Sequence, residues 1–200
     1  MSTDIGALAM ANMHRDNALP ADAGAILIAL ARQAIASQLG VTAAAPADVP
    51  WLHAAGAAFV TLTIAGTLRG CIGSLEPHRH LIDDVRANAE AAAFRDPRFK
   101  PLSAEEFAQT KIEVSVLSPV EVMQWRDEDD ALAQLRPGID GVIFEYGHHR
   151  STFLPQVWAE FSDAKTFMSN LKYKGGLPPD FWDPAVKLSR YTVAKWHEDS

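Results

Sequence analysis

The heptapeptide Thr67–Gly73 (TLRGCIG) contains the residue types that best fit a chemical role. It holds the only cysteine of the chain, Cys71, two residues after Arg69. Because alternate residues of a β-strand share a face, the pattern predicts an outer face with Arg69, Cys71 and Gly73, and a core face with Leu68, Gly70 and Ile72. A guanidinium beside a thiol favours the thiolate, which is the form that attacks electrophiles. The two glycines would leave room for a ligand near the backbone.

A purely structural role for the same residues stays open. Free cysteine is among the most buried residue types and usually packs as a small hydrophobe. A glycine in a strand often marks only a bulge or a tight corner. A nucleophilic thiol also needs a proton acceptor, and His80 is the candidate, although the sequence gives no geometry for it.

Histidines and a carboxylate follow the heptapeptide as Glu76, His78 and His80. With Cys71 as a further ligand, this cluster could bind zinc or iron. Pro77 and the neighbouring residues indicate a loop that leads into a helix, so a solvated loop is favoured and no metal site is predicted.

A second pair of histidines, His148 and His149, is predicted at a hairpin tip. Adjacent residues of a strand face opposite sides, so the two side chains are not expected to share a metal. The next residue, Arg150, is a candidate for ligand binding.

The segment Phe94–Phe99 (FRDPRF) brings two arginines and an aspartate around a proline. Arg95 and Arg98 could form a clamp for a phosphate or carboxylate. Asp96 could equally accept hydrogen bonds from nearby arginine or backbone donors, which would make the segment an internal brace. Further along, Gln156 offers an amide that could bind a base or a peptide edge.

The composition excludes several classes of protein. The 200 residues are 48% hydrophobic and 22% charged, which is typical of a globular chain. The net charge of −7 argues against binding to nucleic acid or to an anionic membrane by bulk electrostatics. A single cysteine cannot form an internal disulfide, which suits a reducing compartment. The N-terminus lacks the pattern of a signal peptide, and Arg32 and Gln33 interrupt the most apolar stretch, Ala23–Leu39. We therefore predict a cytoplasmic protein without a membrane span.

Hydrophobic periodicity predicts an α+β protein. Helices are expected over residues 23–39 and 81–94, a hairpin over residues 58–72, a capping box at Ser103–Glu106, and one long final strand over residues 186–196. Short turns between strands favour antiparallel sheets. Residues 1–21 are predicted to be a loose leader. Neither a GxGxxG nor a GxxxxGK[ST] motif is present.

Several blocks of the sequence resemble the AMMECR domain family, whose hallmark is LRGCIG. The blocks are GAAFVTLTIAGTLRGCIGSLEP (56–77), AAAFRDPRFKPLS (91–103), IEVSVLSP (112–119), LRPGIDGVIFEYGHHRSTFLPQVW (135–158) and KGGL (174–177). Together they extend the resemblance over about residues 22–197.

The resemblance implies two unequal sheet-containing lobes with a cleft between them that LRGCIG lines. The larger lobe would come from both chain ends and the smaller from the middle. Members of the family often occur beside a Memo-like protein, which is similar to extradiol dioxygenases, and a radical SAM protein. The chain departs from the family's common LCxKAGL pattern, because it reads LKYKGGL at 171–177. It therefore lacks the second cysteine that a dithiol redox reaction would need.

The leading hypothesis is a small-molecule enzyme of unassigned reaction and unknown cofactor, centred on Cys71. Arg69 would hold the thiolate or a substrate anion, and Arg95 or Arg98 would orient an acidic or phosphorylated ligand. A second hypothesis is a non-catalytic adaptor for a Memo-like or radical SAM partner. A third is a nucleotide or single-strand nucleic-acid binder, against which the net charge counts.

Overall fold

The computed structural model describes residues 19–198. The expected leader, residues 1–21, lies outside this range except for its last three residues. The described chain divides into two compact units. The first comprises the residues up to Ser115 together with the chain from Lys195, and the second comprises Val116–Ala194.

Two helices pack together in the first unit. Helix α1 (Ala23–Leu39) ends at Gly40, whose left-handed conformation (φ 67°) directs its N–H to the last carbonyl groups of the helix. Helix α2 (Leu81–Phe94) packs against the first sheet through Val85 and Ala89. Both helices were predicted at these positions and are confirmed.

The sheet of the first unit has the order β10–β5–β2–β3. Its strands are β2 (Ala58–Ile64), β3 (Thr67–Gly73), β5 (Thr110–Leu117) and β10 (Val193–His197), and a separate ladder joins β1 (Ala55–Gly56) to β4 (Arg79–His80). Strand β3 therefore lies at an edge. The short helix α3 (Ala104–Phe107) begins with the predicted capping box of Ser103 and Glu106.

The β2–β3 hairpin contains a β-bulge. A two-residue turn at Ala65 and Gly66, both with positive φ, joins the strands. Thr63 pairs with Leu68, but the next residue of β2, Leu62, pairs with Gly70. Arg69 is thus an extra residue in β3. The prediction that Leu68 belongs to the core is wrong, because the bulge turns it to the outer face, where it is 39% exposed.

The second unit packs helices on another antiparallel sheet, with the order β6–β9–β7–β8. Its elements are β6 (Glu121–Val122), α4 (Glu128–Ala133), β7 (Gly141–Tyr146), β8 (His149–Phe153), a 3₁₀ helix (Pro155–Glu160), α5 (Ala164–Lys174) and β9 (Lys187–Tyr191). The core is aromatic, with the Trp158 and Phe167 rings stacked at 3.8 Å between centroids.

The expected long final strand is two strands of different sheets. Strand β9 pairs with β7, whereas β10 belongs to the sheet that contains β5. Thr192 separates them, and its N–H and carbonyl both bond to Ser118. Alternation in the sequence does not reveal such a change of partner. The α+β class with antiparallel sheets is confirmed, and no helix within residues 19–198 is long and apolar enough to cross a membrane.

Candidate functional site

Cys71 lies on the outer face of the β2–β3 hairpin. It pairs with Thr61, whose Oγ1 donates a hydrogen bond to Sγ at 3.3 Å. Both residues are half-buried. The bulge at Arg69 causes this placement, because an unbroken register would pair Cys71 with Val60, which is 0% exposed. Cys71 thus has a polar contact at its sulfur and is, as a residue, partly exposed.

Asp96 and Arg98 bond to the backbone of Cys71 at the outer edge of β3. The Cys71 N–H donates to Asp96 Oδ2 at 2.9 Å, and Arg98 Nη2 donates to the Cys71 carbonyl at 3.1 Å. The two side chains also form a forked ion pair, with contacts of 2.9 and 2.6 Å. Hydrogen bonds from the Arg98 side chain, followed by those from backbone N–H groups, hold the pKa of Asp96 well below its usual range against the opposing effect of burial. The geometry therefore supports the brace interpretation of this segment.

Arg69 bonds to a carboxylate rather than to the thiol. Its Nε and Nη2 donate to Glu106 at 3.0 and 2.9 Å, and Nη2 also donates to the Lys100 carbonyl at 2.8 Å. The side chain is only 12% exposed. Its Nη1 is buried and has no hydrogen-bond partner in the described part of the chain, although the guanidinium lies 5.7 Å from the centre of the Phe99 ring. The expected contact between Arg69 and the thiolate is corrected accordingly.

The two glycines of the heptapeptide are packing residues. A Cβ at Gly70 would overlap the carbonyl oxygen of Ala92 in α2, and a Cβ at Gly73 would overlap the Phe59 ring. The space beside each glycine is therefore filled by the protein. The prediction that they leave room for a ligand is corrected for this reason.

His80 and Arg95 make their contacts elsewhere. His80 precedes the first residue of α2, where its ring lies 6.1 Å from that of His53 and 3.9 Å from the Asp83 carboxylate. Arg95 donates to the Ala87 carbonyl at 3.3 Å. Among residues 19–198, neither side chain has a hydrogen bond or ion pair with Cys71.

Arg150 and Gln156 belong to the second unit. Arg150 Nε donates to Glu145 on the neighbouring strand at 3.1 Å. Gln156 is exposed in the 3₁₀ helix. Both remain predictions as ligand-binding residues.

The histidine clusters are arranged differently from expectation in one case. The His148 and His149 rings lie 4.1 Å apart rather than on opposite sides, because His148 is in the turn between β7 and β8, where strand alternation does not apply. In the first cluster, His78 lies 3.6 Å from Glu76. No group of three His, Cys, Asp or Glu side chains in the described range could hold a metal ion.

Comparison with known proteins identifies the family of this chain. The AMMECR1 family profile matches residues 28–196, which is most of the chain. The chain belongs to the AMMECR1 family. It is 41% identical over 186 residues to a protein of Methanothermobacter thermautotrophicus, covering 90% of this chain and 97% of that one.

Two further proteins are similar, one in sequence and one in structure. Protein MJ0810 of Methanocaldococcus jannaschii is 40% identical over 133 residues, covering 66% of each chain. The crystal structure of the uncharacterized protein PH0010 from Pyrococcus horikoshii superposes with a TM-score of 0.71 at 35% identity, covering 88% of this chain and 91% of that one.

In this AMMECR1 chain, a buried polar network beside the heptapeptide was missed by sequence reasoning. The Asp84 carboxylate of α2 accepts hydrogen bonds from the Ala58 N–H, Ser74 Oγ, Arg79 Nε and Asn88 Nδ2, at 2.7–3.0 Å. It fastens the start of β2 and the end of β3 to the helix. The available signal was the polar pair one helical turn apart, Asp84 and Asn88, beside the apolar stripe.

Lys172 is a buried lysine in the segment LKYKGGL (171–177). Its side chain is 1% exposed. Its Nζ donates to Glu128 at 2.8 Å and to the Phe181 carbonyl at 3.0 Å. A charged amine thus joins α5 to α4 and to the loop before β9.

Proposed function

We propose that the protein is a small-molecule enzyme whose nucleophile is the Cys71 thiol on the outer face of the β2–β3 hairpin. The observation that carries the proposal is the bulge at Arg69, which moves Cys71 away from the core face and opposite Thr61. Bulges that re-aim a side chain recur next to active sites. A bulge beside the only thiol of the chain supports a use for that thiol beyond packing.

The surroundings of the sulfur support this chemistry. The Thr61 hydroxyl donates to Sγ, and the Arg98 guanidinium is bonded to the carbonyl of the same cysteine. Neighbouring cations are typical of reactive cysteines, and a hydrogen bond donated to sulfur favours the charged thiolate form. Among residues 19–198, no histidine or carboxylate is hydrogen-bonded to Sγ. The thiol proton would therefore pass to solvent as a sulfur lone pair forms a bond to an electrophilic carbon of the substrate, and the bond from that carbon to its leaving group would break, with the electron pair departing on the leaving group.

The test is consumption of a metabolite from a cell extract by tag-free protein, followed by mass spectrometry. The wild type should deplete at least one compound, and Cys71→Ser should not. Thr63→Ser, a change on the same face of β2, serves as the matched control and should behave as the wild type. Equal depletion by Cys71→Ser would contradict the proposal.

An adaptor function is the second candidate, and a different observation favours it. The Arg69 guanidinium and the space beside Gly70 and Gly73 are used within the fold, so much of the heptapeptide supports the structure itself. Under this proposal the protein would bind a Memo-like or radical SAM partner. Sedimentation of the two purified proteins should then give a complex that Cys71→Ser leaves intact, and the wild type should consume no metabolite.

A further inference from the structure

Asp96 and Arg98 form a closed ring of hydrogen bonds with the Cys71 peptide. The Cys71 N–H bonds to Asp96, Asp96 to Arg98, and Arg98 to the Cys71 carbonyl. These side chains occupy the positions of a neighbouring strand on the open edge of β3. An extended peptide therefore cannot pair with β3 at Cys71, and a ligand must reach the thiol from the sheet face.

One nitrogen of the Arg98 guanidinium takes no part in these hydrogen bonds. Its Nε and Nη2 are bonded to Asp96 and Cys71, whereas its Nη1 has no hydrogen-bond partner among residues 19–198. The Arg98 side chain is 53% exposed, and the Asp96 side chain that holds it is 1% exposed. A buried carboxylate thus fixes a half-exposed guanidinium that keeps one nitrogen without a hydrogen-bond partner in the described range.

We propose that Arg98 is a specificity-determining residue of the Cys71 site and that it favours electrophiles carrying a carboxylate or phosphate. Asp96 is the positioning residue that keeps the guanidinium beside the cysteine. A guanidinium with an open nitrogen binds such oxyanions through charge-assisted hydrogen bonds. This inference rests on the proposed function, because it concerns the substrate of the same thiol.

Arg98 is in direct contact with the residue that carries the thiol. Its Nη2 donates to the Cys71 carbonyl at 3.1 Å, which places the guanidinium within electrostatic reach of the Cys71 side chain. Hydrogen bonding to Asp96 is the main cause of the raised pKa of Arg98, and burial opposes it.

The test compares two alkylating reagents on the full-length protein. Iodoacetate and iodoacetamide are similar in size and share one leaving group, but only iodoacetate is negatively charged. In each reaction the sulfur forms a bond to carbon, iodide leaves with the bonding electron pair, and the thiol proton passes to the buffer. Burial and ionisation of the thiol change both rate constants by nearly the same factor, so these effects largely cancel in the ratio. The ratio therefore reports how the charges around the thiol act on a negatively charged reagent.

Arg98→Gln should lower the iodoacetate-to-iodoacetamide ratio about three- to fivefold, a size typical of one unit charge near a protein surface. Asp96→Asn should raise the ratio, because the asparagine amide oxygen can still accept a hydrogen bond from Arg98 and keep it beside Cys71, while the negative charge that offsets the guanidinium is removed. Arg98→Lys should restore much of the wild-type ratio. Arg86→Gln is the matched control and should leave the ratio unchanged, since Arg86 makes no hydrogen bond or ion pair in the described chain.

Loosening of the strand would change the ratio in the same direction in Asp96→Asn and Arg98→Gln. Opposite changes of the ratio in the two variants therefore indicate an effect of charge. Circular dichroism verifies that each variant is folded, and urea-unfolded protein gives the baseline ratio. An unchanged ratio in folded Arg98→Gln, or a lowered ratio in Asp96→Asn, would overturn the inference. That failure is distinct from failure of the proposed function, which shows as equal metabolite depletion by Cys71→Ser and wild type, or as complete protection of Cys71 from labelling in the native protein.

Discussion

The Thr61 hydroxyl donates to the Cys71 sulfur across the β2–β3 pair at 3.3 Å. This pairing depends on the extra residue, Arg69, between the turn and the cysteine. The same residue uses its side chain to bind Glu106, so one position both shifts the register and fastens β3 to the segment before β5. Backbone irregularity and side-chain anchoring thus act together to present the thiol.

Gly70→Ala should destabilise the protein, because the new Cβ would overlap the backbone carbonyl of Ala92, which cannot rotate away. We expect a loss of at least about 2 kcal/mol in the free energy of unfolding, measured by urea denaturation. Gly40→Asn is the control, since no atom lies near that position and asparagine tolerates a positive φ. Equal midpoints for Gly70→Ala and the wild type would contradict the packing role.

Arg69→Gln should lower the free energy of unfolding by about 2 kcal/mol, because Glu106 loses two charge-assisted hydrogen bonds. Thermal and urea unfolding measure this loss. The matched change Arg86→Gln should stay within about 0.5 kcal/mol of the wild type. If both variants unfold alike, the Arg69–Glu106 pair does not stabilise the hairpin.

The outer face of the hairpin could be predicted from the sequence only in part. Alternation correctly places Cys71 and Ile72 on opposite faces of the strand. The bulge shifts the pairing by one residue but leaves no mark in the sequence pattern, so alternation predicts the wrong face for Leu68. The capping box of Ser103 and Glu106 is local and was found. The bond from Arg69 to Glu106 spans 37 residues, and no local pattern indicates it.

Asp96 should make stability depend on pH. Its folded-state pKa lies below the ordinary value near 3.8, so the ionised carboxylate adds to the free energy of unfolding above that value. The contribution is lost as the pH falls towards the folded-state pKa. The stability difference between wild type and Asp96→Asn should therefore be largest near about pH 7 and shrink towards about pH 3, as measured by urea unfolding.

The control for this pH series is Asp129→Asn, because Asp129 is exposed and its carboxylate has no hydrogen bond or ion pair within residues 19–198. Its stability should follow the wild type at every pH. A difference between wild type and Asp96→Asn that stays constant with pH would exclude the carboxylate charge as its cause.

Lys172→Ala should cost about 3 to 5 kcal/mol of unfolding free energy, because it leaves Glu128 and the Phe181 carbonyl without their shared donor. Lys172→Met should cost less, since it removes the charge but preserves most of the buried volume. Lys165→Ala, on an exposed face of the same helix, is the control. Calorimetry can rank the variants, and equal losses in Lys172→Ala and Lys165→Ala would contradict a structural role for the amine.

The most direct test of the central claim is the rate at which iodoacetamide labels Cys71 in the native protein, relative to the urea-unfolded chain, followed by intact-protein mass. The thiol of the half-buried residue Cys71 should be labelled in the native state within about tenfold of the unfolded rate. Complete protection in the native state, with full labelling only after unfolding, would contradict a nucleophile on the open face and leave Cys71 as a packing residue.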